Sequence, residues 1–276
     1  MAKQSVNYWP DSKCAKAFWT QHELPPYQEL FAHTLAWLGP RPGERWLDLG
    51  CGAGRLSRAI WTATGGQVAE LVGLDCAAVN AEAFDRFRHG LTPEQRDRFH
   101  FVAADFDTGL AGWEDGRFDG VVSGLAISYA ESYSEAEGRW TQAAYDRTLA
   151  EVFRVLKPGG IVTCGDWMKS PGPYSSDMEY FFKMEGLTYN LVTLAEYGQF
   201  LHGAGFEDVA LQDITDQSQV VARDELARMK GSLYGVLTRA LGDESRDFFI
   251  EDWRSLTVVL DKGELRPARM RARKPR

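Results

Sequence analysis

The sequence predicts an α/β fold in which a mostly parallel sheet is covered on both faces. Two observations carry that expectation. Between residues 45 and 165, short β-branched and apolar runs alternate with stretches of helical period. The first of those runs, Trp46-Leu-Asp-Leu, breaks into glycines at Gly50, Gly52 and Gly54 before a helical pattern opens at Arg55. A buried strand, a tight turn and a helix N-terminus with free N–H groups read this way.

The elements follow in order. Residues 12–38 read as helical, with a partial apolar stripe broken by Pro25-Pro26. Gly39-Pro-Arg-Pro-Gly-Glu44 is a loop that leads to a strand over 45–49. Helices at about 55–65 and 78–89 alternate with strands at 68–74, 99–104 and 118–123. A further helix places Tyr145, Leu149, Val152, Phe153 and Leu156 on one face and stops at Lys157-Pro-Gly-Gly160. Ile161-Val-Thr-Cys-Gly165 is the fifth strand. Beyond it the rhythm changes. Residues 170–203 and 217–262 are aromatic-rich and mainly helical, and 204–216 and 263–276 carry two more strands. We expect a single domain over 1–276: an N-terminal helical cap (1–43), a core (44–169), lid helices and C-terminal strands.

Composition narrows the function classes. The net charge of −8 disfavours general nucleic-acid binding. The C-terminal Arg266-Pro-Ala-Arg-Met-Arg-Ala-Arg-Lys-Pro-Arg276 is read as a solvated strand and tail, with an RNA-contacting arm as the alternative. No apolar run approaches the ~18 residues that span a bilayer, and the first ten residues lack a secretory pattern. Cys14, Cys51, Cys76 and Cys164 lie far apart, so neither a zinc site nor a disulfide framework is expected, and a cytoplasmic setting fits. The pattern sets no oligomeric state.

Ligands of open parallel sheets sit beyond the carboxyl ends of the strands, and the residues there are informative. Asp48, Gly50, Cys51 and Gly52 follow the first strand; Asp75 and Cys76 follow the second; Asp105 and Phe106 the third; Ser123, Gly124 and Leu125 the fourth. A carboxylate at the first turn suits a ligand carrying an ammonium group, one after the second strand suits two ribose hydroxyls, and one after the third suits an adenine amino group. Taken singly, Asp75 and Asp105 also read as helix caps, and the glycines as steric relief. Four strand ends in this order favour a binding site.

These residues carry a resemblance. Asp48-Leu-Gly-Cys-Gly-Ala-Gly54, Gly73-Leu-Asp-Cys-Ala77, Val102-Ala-Ala-Asp-Phe106 and Leu149-Ala-Glu-Val-Phe-Arg-Val-Leu-Lys-Pro-Gly-Gly160 are similar to successive motifs of class I S-adenosylmethionine-dependent methyltransferases. The resemblance covers about 45–170. It implies a Rossmann-like seven-stranded sheet with an antiparallel last strand, and bound S-adenosylmethionine. By motif position, Asp48, Gly50 and Gly52 would hold its methionine part, Asp75 the ribose and Asp105 the adenine. Tyr189-Asn-Leu-Val-Thr-Leu-Ala-Glu-Tyr-Gly198, Ala204-Gly-Phe-Glu-Asp-Val209, Asp213-Ile-Thr-Asp-Gln217 and the tail from Trp253 to Lys274 resemble the phosphoethanolamine methyltransferases, with glycine, sterol and tocopherol enzymes sharing parts. That group's N-terminal latch tyrosine aligns with Tyr8, and the histidine partnering it with Tyr129. Its phosphate-binding arginine aligns with Leu187 and a binding tyrosine with Trp167, departures that count against phosphoethanolamine as the acceptor.

The resemblance therefore implies methyl transfer to a small-molecule acceptor, in the first place an amine nitrogen. Carbon or oxygen methylation of a hydrophobic, aromatic or isoprenoid acceptor is the alternative. An RNA or protein methyltransferase and a non-catalytic binding module stand behind these. An in-line displacement needs alignment, exclusion of water and, for a protonated amine, a proton acceptor. Tyr8, Tyr129 and His22 are the candidates, each with a plain packing reading beside it. Trp19, Trp167, Tyr180 and Tyr189 are the candidate pocket wall, suited to an alkylammonium by cation–π attraction or to an apolar acceptor by burial. The acidic segment 130–138 is read as a solvated loop, with attraction of a cationic substrate as its other reading.

Overall fold

The structure, a computed structural model, describes residues 25–129, 132–134, 139–141, 143–185 and 191–276. Tyr8, Trp19, His22, Leu187 and Tyr189 lie outside the described residues, as does most of the acidic segment 130–138. The chain divides into two compact units: one of residues up to Asp166 with Ala195–Leu211 and Arg269–Arg276, the other of Trp167–Leu194 and Gln212–Ala268. Among the described residues no helix is long and apolar enough to cross a membrane.

In the larger unit, α1 (Pro25–Leu38) starts on two prolines, which lack the N–H a first turn leaves unbonded. β1 (Arg45–Leu49), β2 (Glu70–Asp75), β3 (Phe99–Ala103), β4 (Phe118–Gly124) and β7 (Leu156–Lys169) form the parallel part of a seven-stranded sheet. With β8 (Glu207–Asp213) and β9 (Leu265–Arg273) the order is β3-β2-β1-β4-β7-β9-β8. β9 runs against β7. Gly159 N–H donates to the Lys274 carbonyl (2.9 Å), Lys274 N–H to that of Gly160 (2.9 Å), and Ser170 N–H to that of Glu264 (2.9 Å), so one strand advances as the other retreats. The expected mostly parallel sheet with an antiparallel last strand is what the chain forms.

Register sorts the two faces. Asp48 lies beside Gly73 and Val122, and Val122 beside Thr163, so Trp46, Asp48, Leu71, Val122 and Ile161 share one face. There they meet α2 (Arg55–Ala63) and α3 (Ala81–Arg88) through a buried cluster of Leu38, Leu56, Ile60, Trp61, Phe84 and Phe99. Gly73 is required here, because a Cβ on it would collide with the Phe84 ring and lie 2.8 Å from Cys51 Sγ. The opposite face carries Ser123, Cys164 and Asp166. In the same unit, α6 (Ala143–Val155) packs on α8 (Leu194–Gly203): Tyr145 meets Tyr197 edge-on at 5.6 Å and stacks on Phe200.

Several elements differ from the sequence expectation. Leu156 opens β7 rather than closing a helix, because it pairs with Phe118 before a register shift. Pro93–Arg96 (α4) and Phe106–Ala111 (α5) are short helices with too few residues to show a period. β5 (Ser132–Ser134), inside the segment 130–138 read as a loop, and β6 (Arg139–Thr141), just after it, form a small antiparallel ladder. The helix α8, grouped by sequence with the lid, belongs to the larger unit, where Tyr197 is fully buried.

The smaller unit is helical apart from strand ends: α7 (Ser176–Glu185), α9 (Thr215–Lys230), α10 (Tyr234–Leu241) and α11 (Asp243–Asp261). The buried positions of α9, Ser218, Ala222, Glu225 and Met229, recur at helical spacing. Lys262 pairs with Asp177, and Arg254 with Glu251.

Candidate functional site

The first strand ends in a turn whose backbone is fixed from the neighbouring strand. Gly50 and Cys51 N–H both donate to the Leu74 carbonyl (2.8 and 3.0 Å), and Gly54 N–H donates to that of Cys51 (2.8 Å). Gly50 adopts φ 71°, and a Cβ there would collide with Ala126 Cβ and approach Phe106 at 3.3 Å. The loops after β1, β3 and β4 thus converge on one glycine. Gly52 has φ 49° but open space around it, with no atom within 4 Å of where a Cβ would be. A ligand can approach the backbone at that position.

Asp48 is only 1 % exposed, and its Oδ2 accepts from Ser57 N–H (2.9 Å) and Ser57 Oγ (2.7 Å). The carboxyl thus ties β1 to the first turn of α2, at the positive end of the helix. Burial pushes its pKa up to about 7; the two Ser57 bonds act against that shift, and nearby Asp75 adds to it. Cys51 is buried beside it, with its thiol pushed well above the ordinary value by burial and then by the two carboxylates.

Asp75 does more than close β2. Its Oδ1 accepts from Ala77 N–H (2.8 Å) and Asn80 Nδ2 (3.1 Å), and its Oδ2 from Gly52 N–H (2.8 Å). Burial raises its pKa against these three bonds. A carboxylate offers about four lone-pair positions, so one remains for a ligand hydroxyl. Cys76 follows, half-buried.

Asp105 stands exposed where β3 ends, at the N-cap position of α5, and its side chain does not cap that helix. Phe106, half-buried, faces Gly50. Ser123 is buried near the end of β4, and Gly124 lies beside Gly165. Leu125 adopts φ 54°, which a leucine enters at a cost, and is 37 % exposed. Its N–H donates to the Gly165 carbonyl (2.6 Å). Tyr129 ends the one-turn helix Ile127–Tyr129 that follows.

The structure therefore brings Asp48, Gly50, Cys51, Gly52, Asp75, Cys76, Asp105, Phe106, Ser123, Gly124 and Leu125 to one edge of the sheet. Tyr180, in the smaller unit, is 38 % exposed and donates to Glu251 (2.7 Å), so its phenol is engaged in a surface network. Trp167 is half-buried in that unit. The smaller unit also holds an open polar cavity of about 510 Å³ lined by Asp213, Thr215, Gln219, Asp261 and Arg266, part of a segment singled out above. Among the described residues no cluster of His, Cys, Asp and Glu could hold a metal ion.

Sequence reasoning passed over Ser57, Asn80 and Asp166. The first two partner acids it did find, at helical offsets that give no separate signal. Asp166, buried on β7, accepts from Ser128 N–H through Oδ2 (2.8 Å) and so holds the turn that leads to Tyr129.

A phosphoethanolamine N-methyltransferase of Triticum aestivum is 30% identical over 226 residues, covering 82% of this chain and 40% of the relative. A sterol 24-C-methyltransferase of Schizosaccharomyces pombe is 29% identical over 191 residues, covering 67% and 45%. The chain thus spans about two fifths of the length of the curated phosphoethanolamine relatives it matches over most of its own length. Among solved structures, phosphoethanolamine N-methyltransferase 2 of Haemonchus contortus, in complex with phosphomonomethylethanolamine and S-adenosylhomocysteine, superposes with a TM-score of 0.77. It shares 19% identity, over 96% of this chain and 58% of that one. A cyclopropane synthase of Mycobacterium tuberculosis gives 0.77 at 13% identity, over 99% and 100%. At such identities these structures speak for the fold. The family model described as a methyltransferase domain matches residues 40–199, more than half of the sequence, and the chain belongs to that family.

Proposed function

We propose that this chain is an S-adenosylmethionine-dependent methyltransferase acting on a small-molecule acceptor, in the first place an amine nitrogen. One observation carries the reading. At Gly52 the backbone is open to a ligand, and its N–H is held by the carboxylate of Asp75, whose remaining lone pair suits a ribose hydroxyl. A nucleoside joined to an amino acid matches these groups in that order: Asp105 and Phe106 for the base, Asp75 for the ribose, the Gly50–Gly54 turn and Asp48 for the amino-acid end. The relatives named as N-methyltransferases support nitrogen, while Leu187 and Trp167 argue against phosphoethanolamine itself.

Bound S-adenosylmethionine supplies a methyl group on a positively charged sulfur. The chain's own contribution is placement. Asp75 and the glycine turn fix one side of the site, and the loop from Leu125 to Tyr129 fixes the other. In-line transfer gains most from such orientation and from exclusion of water. Tyr129, with Tyr8 and His22, is the proposed route for a proton leaving an ammonium acceptor, and Trp19, Trp167 and Tyr189 the proposed apolar wall.

Calorimetric titration of S-adenosylmethionine and S-adenosylhomocysteine tests the reading. Micromolar binding by the wild type, followed by transfer to members of an amine panel, is the expected result. Folded protein that binds neither nucleoside would sink it.

A further inference from the structure

Leu125 stands apart from the rest of the chain around the end of β4. Of residues 120–128 it alone is exposed, while Val121, Val122, Ser123, Ile127 and Ser128 on either side are buried. Alternation along β4 puts Val122 and Gly124 on the face of Asp48, where a Cβ on Gly124 would lie 2.9 Å from Leu56. The next residue would then follow Ser123 onto the opposite, covered face. A left-handed φ of 54° takes Leu125 off that path and leaves its side chain partly in water. Asparagine or glycine enters this region readily, and leucine does not.

A single exposed leucine is ordinary; one held out under strain is not. Leu125 N–H donates to the Gly165 carbonyl (2.6 Å) and Ser128 N–H to Asp166 Oδ2 (2.8 Å), so β7 fixes the loop at two points. On its other side Ala126 sits against Gly50, where any Cβ would collide with it. The backbone is thus held from both neighbouring strands and cannot withdraw the side chain. Neither the strain nor the wet apolar surface is offset in the ligand-free chain. A ligand with hydrocarbon to lay against the leucine removes that surface from water.

Position in the sheet says which ligand. In the order β3-β2-β1-β4-β7, Asp75 ends β2, while Leu125 lies beyond β4 and is bonded to β7. β1 and the glycine turn stand between the two. In-line transfer places the acceptor on the side of the methyl group away from the departing sulfur, and the side away from the nucleoside acids is the one Leu125 occupies.

We propose that Leu125 selects the methyl acceptor by packing against a hydrocarbon group, alkyl or aryl, carried beside the reacting nitrogen. This rests on the methyltransferase reading. A compact polar amine leaves the leucine wet, so discrimination between the two kinds of amine comes from apolar area buried at this one residue.

Calorimetric titration of the whole chain, saturated with S-adenosylhomocysteine, tests the proposal with n-hexylamine, 2-phenylethylamine, ethanolamine and glycine. One of the two apolar amines should bind at least about tenfold more tightly than either polar one. Leu125→Asn should shrink that margin to less than about threefold without lowering the ligand-free Tm, because asparagine accepts the left-handed φ. Leu125→Met should keep most of the margin. A wild type that binds neither apolar amine more tightly than ethanolamine would overturn the assignment, as would an unchanged margin in Leu125→Asn. A greater loss of S-adenosylhomocysteine affinity than of amine affinity in Leu125→Asn would place the leucine on the cofactor and overturn it too. Folded wild type that binds no S-adenosylhomocysteine would sink the methyltransferase reading. The amines are then titrated into the free protein: a margin that depends on Leu125 would still support the apolar contact, and no margin would sink both.

Discussion

Asp75 Oδ2 accepts the Gly52 N–H at 2.8 Å, across twenty-three residues of chain. The acid proposed to hold a ribose is therefore also a brace for the glycine turn, since its other oxygen holds Ala77 N–H and Asn80. Removing it should cost both binding and stability. For Asp75→Ala we expect S-adenosylhomocysteine affinity to fall by about ten- to a hundredfold, the equivalent of the ~1.5–3 kcal/mol typical of a charged hydrogen bond. Tm should fall as well, because donors are left without an acceptor. Calorimetry with circular dichroism checks both. Unchanged affinity would separate Asp75 from the ligand.

The pH response of Asp48 has a definite sign. Its folded pKa, about 7, lies above the ordinary 3.8, so the folded state holds more protons between those values. The stability from this group is complete below the unfolded pKa and is lost as pH rises towards about 7. Asp75 is shifted in the same direction. Asp48→Asn should flatten that fall and raise the Tm of ligand-free protein at pH 8, since an amide keeps an oxygen for Ser57. A ligand ammonium near Asp48 favours its charged form, so S-adenosylmethionine should bind with proton release and more tightly at pH 7.5 than at pH 6. Titration in buffers of different ionisation enthalpy measures the proton count, which should drop in Asp48→Asn.

Packing beneath the site tolerates little change. A Cβ at Gly73 meets Phe84 and Cys51, so Gly73→Ala should destabilise by ~1–3 kcal/mol, a Tm fall of roughly 2–4 °C per kcal/mol. Gly112→Ala, whose nearest neighbour is the Gly109 carbonyl at 4.0 Å, is the control and should be near neutral. Scanning calorimetry of the two variants separates overpacking from a general glycine effect.

Asp75 and Asp105, proposed to hold the nucleoside, stand out in the sequence because each closes a short apolar run where a strand of the parallel sheet ends, whereas Asp48 lies inside β1 and is buried. The proposed acceptor end gives no such signal. Asp166 is embedded in a strand far longer than the five residues its β-branched run suggests, and Leu125 holds a positive φ that no residue type announces. Arg269 was hidden for a different reason. The arginines of the last strand read as solvated, and Arg266 is exposed, but β9 lies between β7 and β8 with both edges paired, and Arg269 on it is buried. Strand order, which depends on the whole chain, decides that.

Asp166 and Gly165 together clamp the loop after β4, through Ser128 N–H (2.8 Å) and Leu125 N–H (2.6 Å). The clamp holds Leu125 at its unfavourable φ and sets where Tyr129 begins. Asp166→Ala leaves a buried N–H unpaired, a loss of ~1–3 kcal/mol, and frees the loop. Amide exchange at Ser128 should accelerate while S-adenosylhomocysteine affinity changes little, because Asp75 and the glycine turn are untouched. Methyl transfer to whichever acceptor the wild type accepts should fall mainly through kcat. Asp166→Asn, which keeps an oxygen for Ser128, should recover most of the lost rate. Equal loss in both variants would make the negative charge, rather than the clamp, the contribution of Asp166.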